Sequence, residues 1–315
     1  MIADLLEQFR RVATPGPFDY EWCHHTPGAG NHTRHIVIGC LIHGNENGTL
    51  PAALELVDAL NAGSLLPQGP VTVLLGNTQA ALADRRFLEE DFNRVFTFDR
   101  RAESLERKLA ESVRPILDQA DVFLDLHQTQ TPTRQAFWTF PWTPDLGQWA
   151  AALQAASVAL TRPNGQSFSV GTCCLDEYVR NRGNVGITVE IGYKGLDPAQ
   201  AVLALATMKR LIDVVDQLES GRTTLEKLAG DAPVVQYYRT AHIVPGTAHR
   251  RLKSGFGNWT PVHKGELLSA PESEELRAPE DGFVLFPKYP GPHEPTPPEL
   301  YRLAREVTDL RELDR

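Results

Sequence analysis

Apolar and polar positions along the chain sort into alternating strand-like and helix-like segments. Residues His35 to His43 form a short, β-branched apolar run that ends abruptly in His-Gly-Asn-Glu-Asn-Gly, the pattern of a buried strand. Thr49 and Pro51 then supply helix-start chemistry, and Leu54, Val57 and Leu60 recur at helical spacing until Gly63. A Pro-Gln-Gly-Pro turn leads to a second strand over Val71 to Gly76. Strand, helix and strand at this spacing predict an α/β fold. Asn77 to Arg101 has no apolar period but gathers Arg85, Arg86, Asp91, Asn93 and Arg94, and irregular stretches of that length inside compact domains are often functional. From Ala102 to Ala120 a helix is expected, with Leu105, Leu109, Val113 and Ile116 along one stripe, followed by a strand over Asp121 to His127. Further along, the pattern predicts a strand over Ala136 to Phe140, a helix over Leu146 to Leu160, a buried strand over Val185 to Ile191 and a helix from Pro198 to about Leu218.

Beyond Gly230 the pattern changes. Nearly half of the chain's 23 prolines fall there, and short apolar runs such as Val284-Leu-Phe286 alternate with turn signals such as Asp281-Gly282. A division into an α/β domain over residues 1–225 and a smaller β-rich domain over 226–315 is expected. Val262 to Leu267 and Ala278 to Val284 look like turns of a barrel-sandwich module, but no lysine stands at the turn where lipoate or biotin would be carried.

Composition narrows the classes of function. The chain has 315 residues, enough for one large or two ordinary domains, and 42% apolar residues with 23% charged exclude disorder and coiled coil. Its 31 lysines and arginines against 40 acidic residues leave a formal charge of −9, so a general affinity for nucleic acid or an anionic membrane is not expected. An anionic substrate would need a local cluster of cations. Cys23, Cys40, Cys173 and Cys174 are too few and too irregular for a disulfide framework or a cysteine zinc site, and read as reduced thiols. The longest apolar run, Ile36 to Ile42, is far short of the ~20 residues that span a membrane. The N-terminus lacks the basic start and apolar stretch of a signal peptide, so a cytoplasmic location is expected.

Three segments carry candidate chemistry. His43-Gly-Asn-Glu46 lies where a strand hands over to a helix, the place where open α/β sheets hold ligands. An imidazole and a carboxylate three positions apart in a tight loop can face one cation, although H-x-x-E alone is a common pattern. Gly44 and Gly48 would let the backbone fold closely round the ion. Asp125-Leu-His127 ends another strand, where residues two apart share a face. His127 can complete a His, Glu, His set, with Asp125 orienting an imidazole. Three protein ligands with one open position is the catalytic form of a zinc site. In the strand Val185 to Gly192, Glu190 shares a face with Gly186 and Thr188; a carboxylate there is costly unless paired or used, which makes it a candidate general base or else an ion pair at a sheet edge. His24, His25, His32 and His35 lack carboxylate or cysteine partners at useful spacing and are expected on the surface.

Together these pieces resemble the succinylglutamate desuccinylase and aspartoacylase family, a branch of the zinc carboxypeptidase-like hydrolases. The resemblance rests on His43-Gly-Asn-Glu-Asn-Gly48, where the family's H-G-x-E-x-x-G has its second glycine one position later, on Arg86-Phe-Leu-Glu-Glu-Asp-Phe-Asn-Arg94, on Asp125-Leu-His127 and on Glu190-Ile-Gly192. It implies a three-layer α/β/α zinc carboxypeptidase-like domain with a mixed sheet, plus the smaller C-terminal β-rich domain. It also implies one zinc ion per chain, held by His43, Glu46 and His127, with Glu190 as general base. Arg86 would polarise the scissile carbonyl, and Asn93 and Arg94 would hold a substrate carboxylate.

Arg180, ten positions before Glu190, matches another carboxylate-binding arginine of the family, with Arg182 close enough to be the alternative. Where the family often has a tyrosine just upstream, this chain has Asp176 and Glu177, with Tyr178 following; Tyr289 is the candidate for the family's C-terminal tyrosine. The expected activity is hydrolysis of the amide of a small anionic N-acyl amino acid, of the N-succinylglutamate or N-acetylaspartate type. A homo-oligomer is compatible with the sequence. The rival readings are a carboxypeptidase acting on short peptides and a non-catalytic metal protein that binds an anion.

Overall fold

The computed structural model describes residues 1–99, 101, 103–291 and 295–313. In chain order its elements are α1 (Ile2–Val12), β1 (Cys23–Thr26), β2 (Ile36–Cys40), α2 (Leu50–Asn61), β3 (Val71–Leu75), α3 (Thr78–Leu82), α4 (Leu105–Leu117), β4 (Val122–Thr129), β5 (Phe137–Pro141), α5 (Pro144–Leu153), β6 (Val158–Arg162), α6 (Leu175–Arg180), β7 (Val185–Tyr193), α7 (Pro198–Glu219), α8 (Leu225–Gly230), β8 (Gln236–Pro245), β9 (Thr260–Val262), β10 (Gly282–Leu285) and β11 (Glu299–Glu306). The strands join one mixed sheet in the order β1-β3-β2-β4-β7-β5-β6-β8-β11-β10-β9.

Burial on both faces explains the near-continuous apolar runs of β2, β3 and β4. Alternate residues feed two cores. Ile36, Ile38 and Cys40 of β2, with Val71, Val73 and Leu75 of β3 and Val122, Leu124 and Leu126 of β4, pack against α1, α2, α5 and α7. The residues between them, Val37, Leu74 and Phe123, face α4 and α6. The result is the expected three-layer α/β/α arrangement. Strands β3, β2, β4 and β7 run parallel, β1 and β5 pair antiparallel with β3 and β7, and β6 continues parallel to β5.

The chain runs from β2 through α2 to β3 on one side and later returns to β4 on the other. Strand order therefore reverses between β2 and β4, and a crevice forms at their carboxyl ends.

Two departures from the expected elements have physical causes. The helix expected over Leu146 to Leu160 stops at Leu153, because Gln154 takes a left-handed φ of 55°, and the β-branched and apolar residues from Val158 form β6 instead. The entering segment forms edge strand β1 against β3, which buries His24 and, beside it, His35; both histidines were expected on the surface. His35 Nε2 lies 2.7 Å from Thr72 Oγ1, and burial pushes its pKa down to about 4. Ala102, the expected start of the α4 pattern, lies outside the described residues; Ser104 caps that helix on the Arg107 amide.

The sheet does not break where the β-rich segment begins, since β8 pairs in parallel with β6. β8, β11, β10 and β9 then form an antiparallel run. One small core, including Leu252, Val262, Leu268 and Leu303, belongs to this segment alone. Another joins Phe137, Val158 and Leu160 of the larger part to Tyr238, Trp259 and Leu285. We propose the division at 225/226 as one of composition with a single core of its own, since the sheet continues across it and Val235, Val307 and Leu313 pack into the core of the larger part. Among the described residues, no helix is long and apolar enough to cross a membrane.

Candidate metal and substrate site

The carboxyl ends of β2, β4 and β7 open into a cavity of about 110 Å³. Leu41, just past β2, has a left-handed φ of 54°, a conformation uncommon for leucine, and it turns the chain toward His43. Gly44 is needed for close packing against neighbouring chain, not round an ion: a Cβ there would lie 2.3 Å from the Ala80–Ala81 peptide. A Cβ on Gly48 would meet Gln128 Nε2 at 2.3 Å, and the Gly48 amide donates to Gln128 Oε1.

His43, Glu46 and His127 are buried, and one donor atom from each lies within 4.8 Å of the others. Glu46 Oε2 accepts from His127 Nδ1 at 2.8 Å and from the Gln128 amide at 3.1 Å, while Oε1 accepts from Arg86 Nη1 at 2.7 Å and Gln130 Nε2 at 2.9 Å. Burial pushes the Glu46 carboxyl up, but His43 and His127 outweigh it and hold the group well below the usual carboxylate range. His43 Nδ1 lies 2.8 Å from Glu46 Oε1, within ion-pair range, yet is out of line for a hydrogen bond. A cation between the three donors would satisfy it. The donor set, two imidazoles and a carboxylate, suits zinc, and the residues fit that ion.

The outer nitrogens of both rings are held. His43 Nε2 lies 3.0 Å from Asp91 Oδ1. His127 Nε2 lies 3.1 Å from Asp125 Oδ2 and 3.2 Å from Asn93 Nδ2. Such outer partners fix ring orientation and tautomer. Burial lowers the His127 pKa, but Asp125 and Glu46 prevail and raise it well above its ordinary value. Asp91 also accepts from the Asn93 amide and from Arg86 Nε and Nη2, so one carboxylate joins His43, Arg86 and the turn that bears Asn93 and Arg94.

The long connection is not irregular throughout. It contains α3 and a 3₁₀ turn over Phe92–Arg94, with Phe92 and Phe96 in the second core. Glu106 of α4 ties it down: its buried carboxylate accepts from Asn77 Nδ2 and from the amides of Leu88, Glu89 and Glu90.

Glu190 is paired in register with His127 across β4 and β7 and lines the cavity. Its Oε2 is buried without a hydrogen-bond partner. Burial raises its pKa to about 7, against the pull of His127 and with the push of Glu46.

Arg86, Asn93 and Arg94 line the same cavity, as expected. Arg180 and Tyr289 do not. Arg180 Nη1 donates to Asp176 Oδ2 at 2.5 Å and to Gly186 O at 2.7 Å, and it is Asp176 that faces the cavity. Arg182 pairs with Asp118 at 3.3 Å, also outside it. Tyr289 Oη bonds to the backbone of Phe256 and lines an adjacent hollow with Thr131 and Tyr193. The structure does not bring Arg180 or Tyr289, the other two expected substrate residues, to this cavity. Cavity-lining Arg162, Phe168 and Lys288 went unnoticed in the sequence. Arg162 ends β6, which the apolar pattern had merged into a helix, and Lys288 stands one position before the tyrosine that drew attention.

Residues 32–216 match the family model for the succinylglutamate desuccinylase/aspartoacylase catalytic domain. The chain belongs to this family. Among its relatives are the succinylglutamate desuccinylase of Shewanella frigidimarina, 28% identical over 127 residues, and that of Pseudomonas paraeruginosa, 32% identical over 125 residues; each alignment covers 36% of this chain and 37% of the relative. The chain therefore aligns with little more than a third of the length of these curated relatives. The fold likeness is broader. The crystal structure of a succinylglutamate desuccinylase from Vibrio parahaemolyticus superposes with a TM-score of 0.72 at 18% identity, covering 91% of this chain and 87% of that one. The family match takes in His43, Glu46, Arg86, Asn93, Arg94, His127 and Glu190 but ends well before Lys288.

Proposed function

We propose that this chain is a zinc-dependent amidohydrolase that cleaves the amide of a small N-acyl amino acid, releasing a carboxylate and a free amino acid. The observation that carries the reading is the convergence of buried His43, Glu46 and His127 donors, His43 Nδ1 making no hydrogen bond, in one cavity with Arg86 and Glu190. Family membership and the desuccinylase names of the relatives support the same reaction class.

His43, Glu46 and His127 would hold one zinc ion, which when bound supplies Lewis acidity in the cavity. Glu190 takes the proton of the attacking water and returns it to the leaving nitrogen. Its raised pKa suits a group that must accept and donate near neutral pH. Arg86, steered by Asp91 and Glu46, presents its guanidinium to the oxyanion that develops on the scissile carbonyl. Asn93 holds His127 and, through its Oδ1, the Leu175 amide, so its part is chiefly to fix the cavity wall. Arg94 binds a substrate carboxylate. A cytoplasmic location belongs to the proposal, supported by four free cysteines, all buried.

The test is metal analysis of the purified protein coupled to a substrate panel of N-acyl amino acids and short peptides. Turnover of acyl amino acids by zinc-loaded protein is expected. Turnover of peptides alone would replace the reading with a carboxypeptidase, and no turnover with zinc bound would leave an anion-binding protein.

A further inference from the structure

The buried carboxylate of Glu46 takes hydrogen bonds on both oxygens. Oε1 accepts from Arg86 Nη1 at 2.7 Å and Gln130 Nε2 at 2.9 Å, and Oε2 accepts from His127 Nδ1 at 2.8 Å and the Gln128 amide at 3.1 Å. Two of these donors have other work in the proposed reaction. An imidazole that gives Nδ1 to a metal has no proton left there, and the guanidinium of Arg86 serves the substrate. The donors that remain, one on each oxygen, belong to the two glutamines that follow His127.

Both glutamines are themselves fixed. Gln130 exchanges two hydrogen bonds with Asn45, accepting from Asn45 Nδ2 at 2.9 Å and donating to Asn45 Oδ1 at 3.2 Å. Asn45 stands between His43 and Glu46, so this pair ties the loop that bears two of the donors to the segment that bears the third. It also decides which way the Gln130 amide faces: turned over, its oxygen would meet Glu46 Oε1 with no proton between them. Gln128 is 1% exposed. Its Oε1 accepts from the Gly48 amide at 2.8 Å, and its Nε2 donates to the carbonyls of Tyr193 and Gly195, each at 2.9 Å, and to Gln200 Oε1. A Cβ at position 48 would lie 2.3 Å from Gln128 Nε2 and 2.6 Å from the Gly195 carbonyl oxygen. The glycine that stands one position earlier here than in the family's pattern is therefore the one that Gln128 requires.

Resting on the proposed zinc site, we infer that Gln130, braced by Asn45, is a positioning residue that presets the Glu46 carboxylate for the ion, while Gln128 locks the loop on which Glu46 stands. Gln130 acts through Glu46. A glutamate side chain that is free to turn loses rotamer freedom when it binds an ion, and one already held in place does not. The effect of Gln130 therefore falls on how tightly the site takes the metal, which is where partners of metal ligands act.

The test is equilibrium zinc affinity, read without turnover by letting metal-free protein compete with a chromogenic chelator for zinc. Gln130→Met keeps the length of the side chain and removes its donors. It should raise the zinc dissociation constant by about 10- to 100-fold, the usual loss when an outer partner of a metal ligand is removed. Asn45→Ala should raise it by a smaller factor. The double variant should stay within about 3-fold of Gln130→Met alone, because both substitutions break one chain of bonds. A merely structural role would lower the melting temperature of the metal-free protein and leave its zinc affinity at the wild-type value. Wild-type zinc affinity in Gln130→Met overturns the inference, and so does a double variant whose loss is the product of the two single losses. If Gln130→Met does not melt cooperatively, Asn45→Ala decides by the same comparison of zinc affinity. The outcome is separable from the hydrolase reading. Zinc affinity that depends on Gln130 in a protein without turnover keeps the inference and removes that reading, turnover with zinc affinity indifferent to Gln130 does the reverse, and a wild-type protein that binds no zinc removes both.

Discussion

The two ends of the cavity are built in different ways. At the metal end, His43 and Glu46 come from one loop, and His127 and Glu190 from facing positions on adjacent parallel strands. Sheet register sets His127 beside Glu190, and the loop after β2 sets His43 and Glu46 against them. At the other end, Arg94, Arg162, Phe168 and Lys288 come from a 3₁₀ turn, a strand end, a loop and a turn of the β-rich segment, and no register relates them. On the proposed function, the reacting groups stand on the most rigid part of the fold, and the far wall is built from connections that can vary without disturbing them.

The largest effects should therefore arise at the metal end. Stripping zinc with a chelator is expected to abolish turnover while leaving far-ultraviolet circular dichroism unchanged, because β2, β4 and β7 are packed on both faces without any help from the ion. Loss of the dichroism signal on chelation would show that the site is not preformed by the sheet.

Next in size is Glu190→Gln, which should lower kcat/KM by about 10²- to 10⁴-fold, the usual worth of a general base. Bound zinc, measured by metal analysis, should stay at the wild-type level, since Glu190 is not among the three converging donors. Zinc lost together with activity would move Glu190 from proton transfer to metal binding.

Arg180→Gln tests the other end of the comparison from outside it. Removing the guanidinium leaves buried Asp176 to the Glu177 amide, Thr188 and the charge of Arg162, and should cost about 1–3 kcal/mol of stability. The ratio of kcat/KM for dicarboxylic over monocarboxylic substrates should hardly move. A large change in that ratio in protein that still melts cooperatively would return Arg180 to substrate recognition.

What could be read from the sequence follows the same division. β2, β3, β4 and β7 are short apolar runs with chemistry at their ends, so the elements and the four metal-end residues stand in plain local patterns. The α/β class followed from them, and the three-layer arrangement was implied by the family resemblance. Arg162 was hidden because the helical pattern runs on past Gln154, whose left-handed turn depends on tertiary packing and leaves no strong mark in composition. Arg180 was expected in the cavity because it matches a carboxylate-binding arginine of the family; in the structure Asp176 holds its guanidinium. A charged side chain's partner is decided by three-dimensional neighbours, which sequence distance does not encode.

The smallest effect concerns how the two ends are kept in relation. Arg86, Asp91, Asn93 and Arg94 lie on the connection that Glu106 anchors through four donors. Burial alone would raise the Glu106 pKa, yet the amides of Leu88, Glu90 and Glu89 and the Asn77 side chain bring it below its ordinary value. A carboxyl whose pKa is depressed by folding adds stability that is fully present above the unfolded pKa, about 4.3, and is lost as pH falls through the folded value. Glu106→Gln, which keeps the shape but offers one acceptor oxygen in place of two and no charge, should lower stability at pH 7 by about 1–3 kcal/mol. Below pH 4 the gap between the two proteins should close, because the wild-type carboxyl is then losing its charge as well. Melting temperatures of both proteins from pH 7 down to pH 3 would check this. A gap that stays constant across the range would mean that Glu106 holds the loop by shape and not by charge.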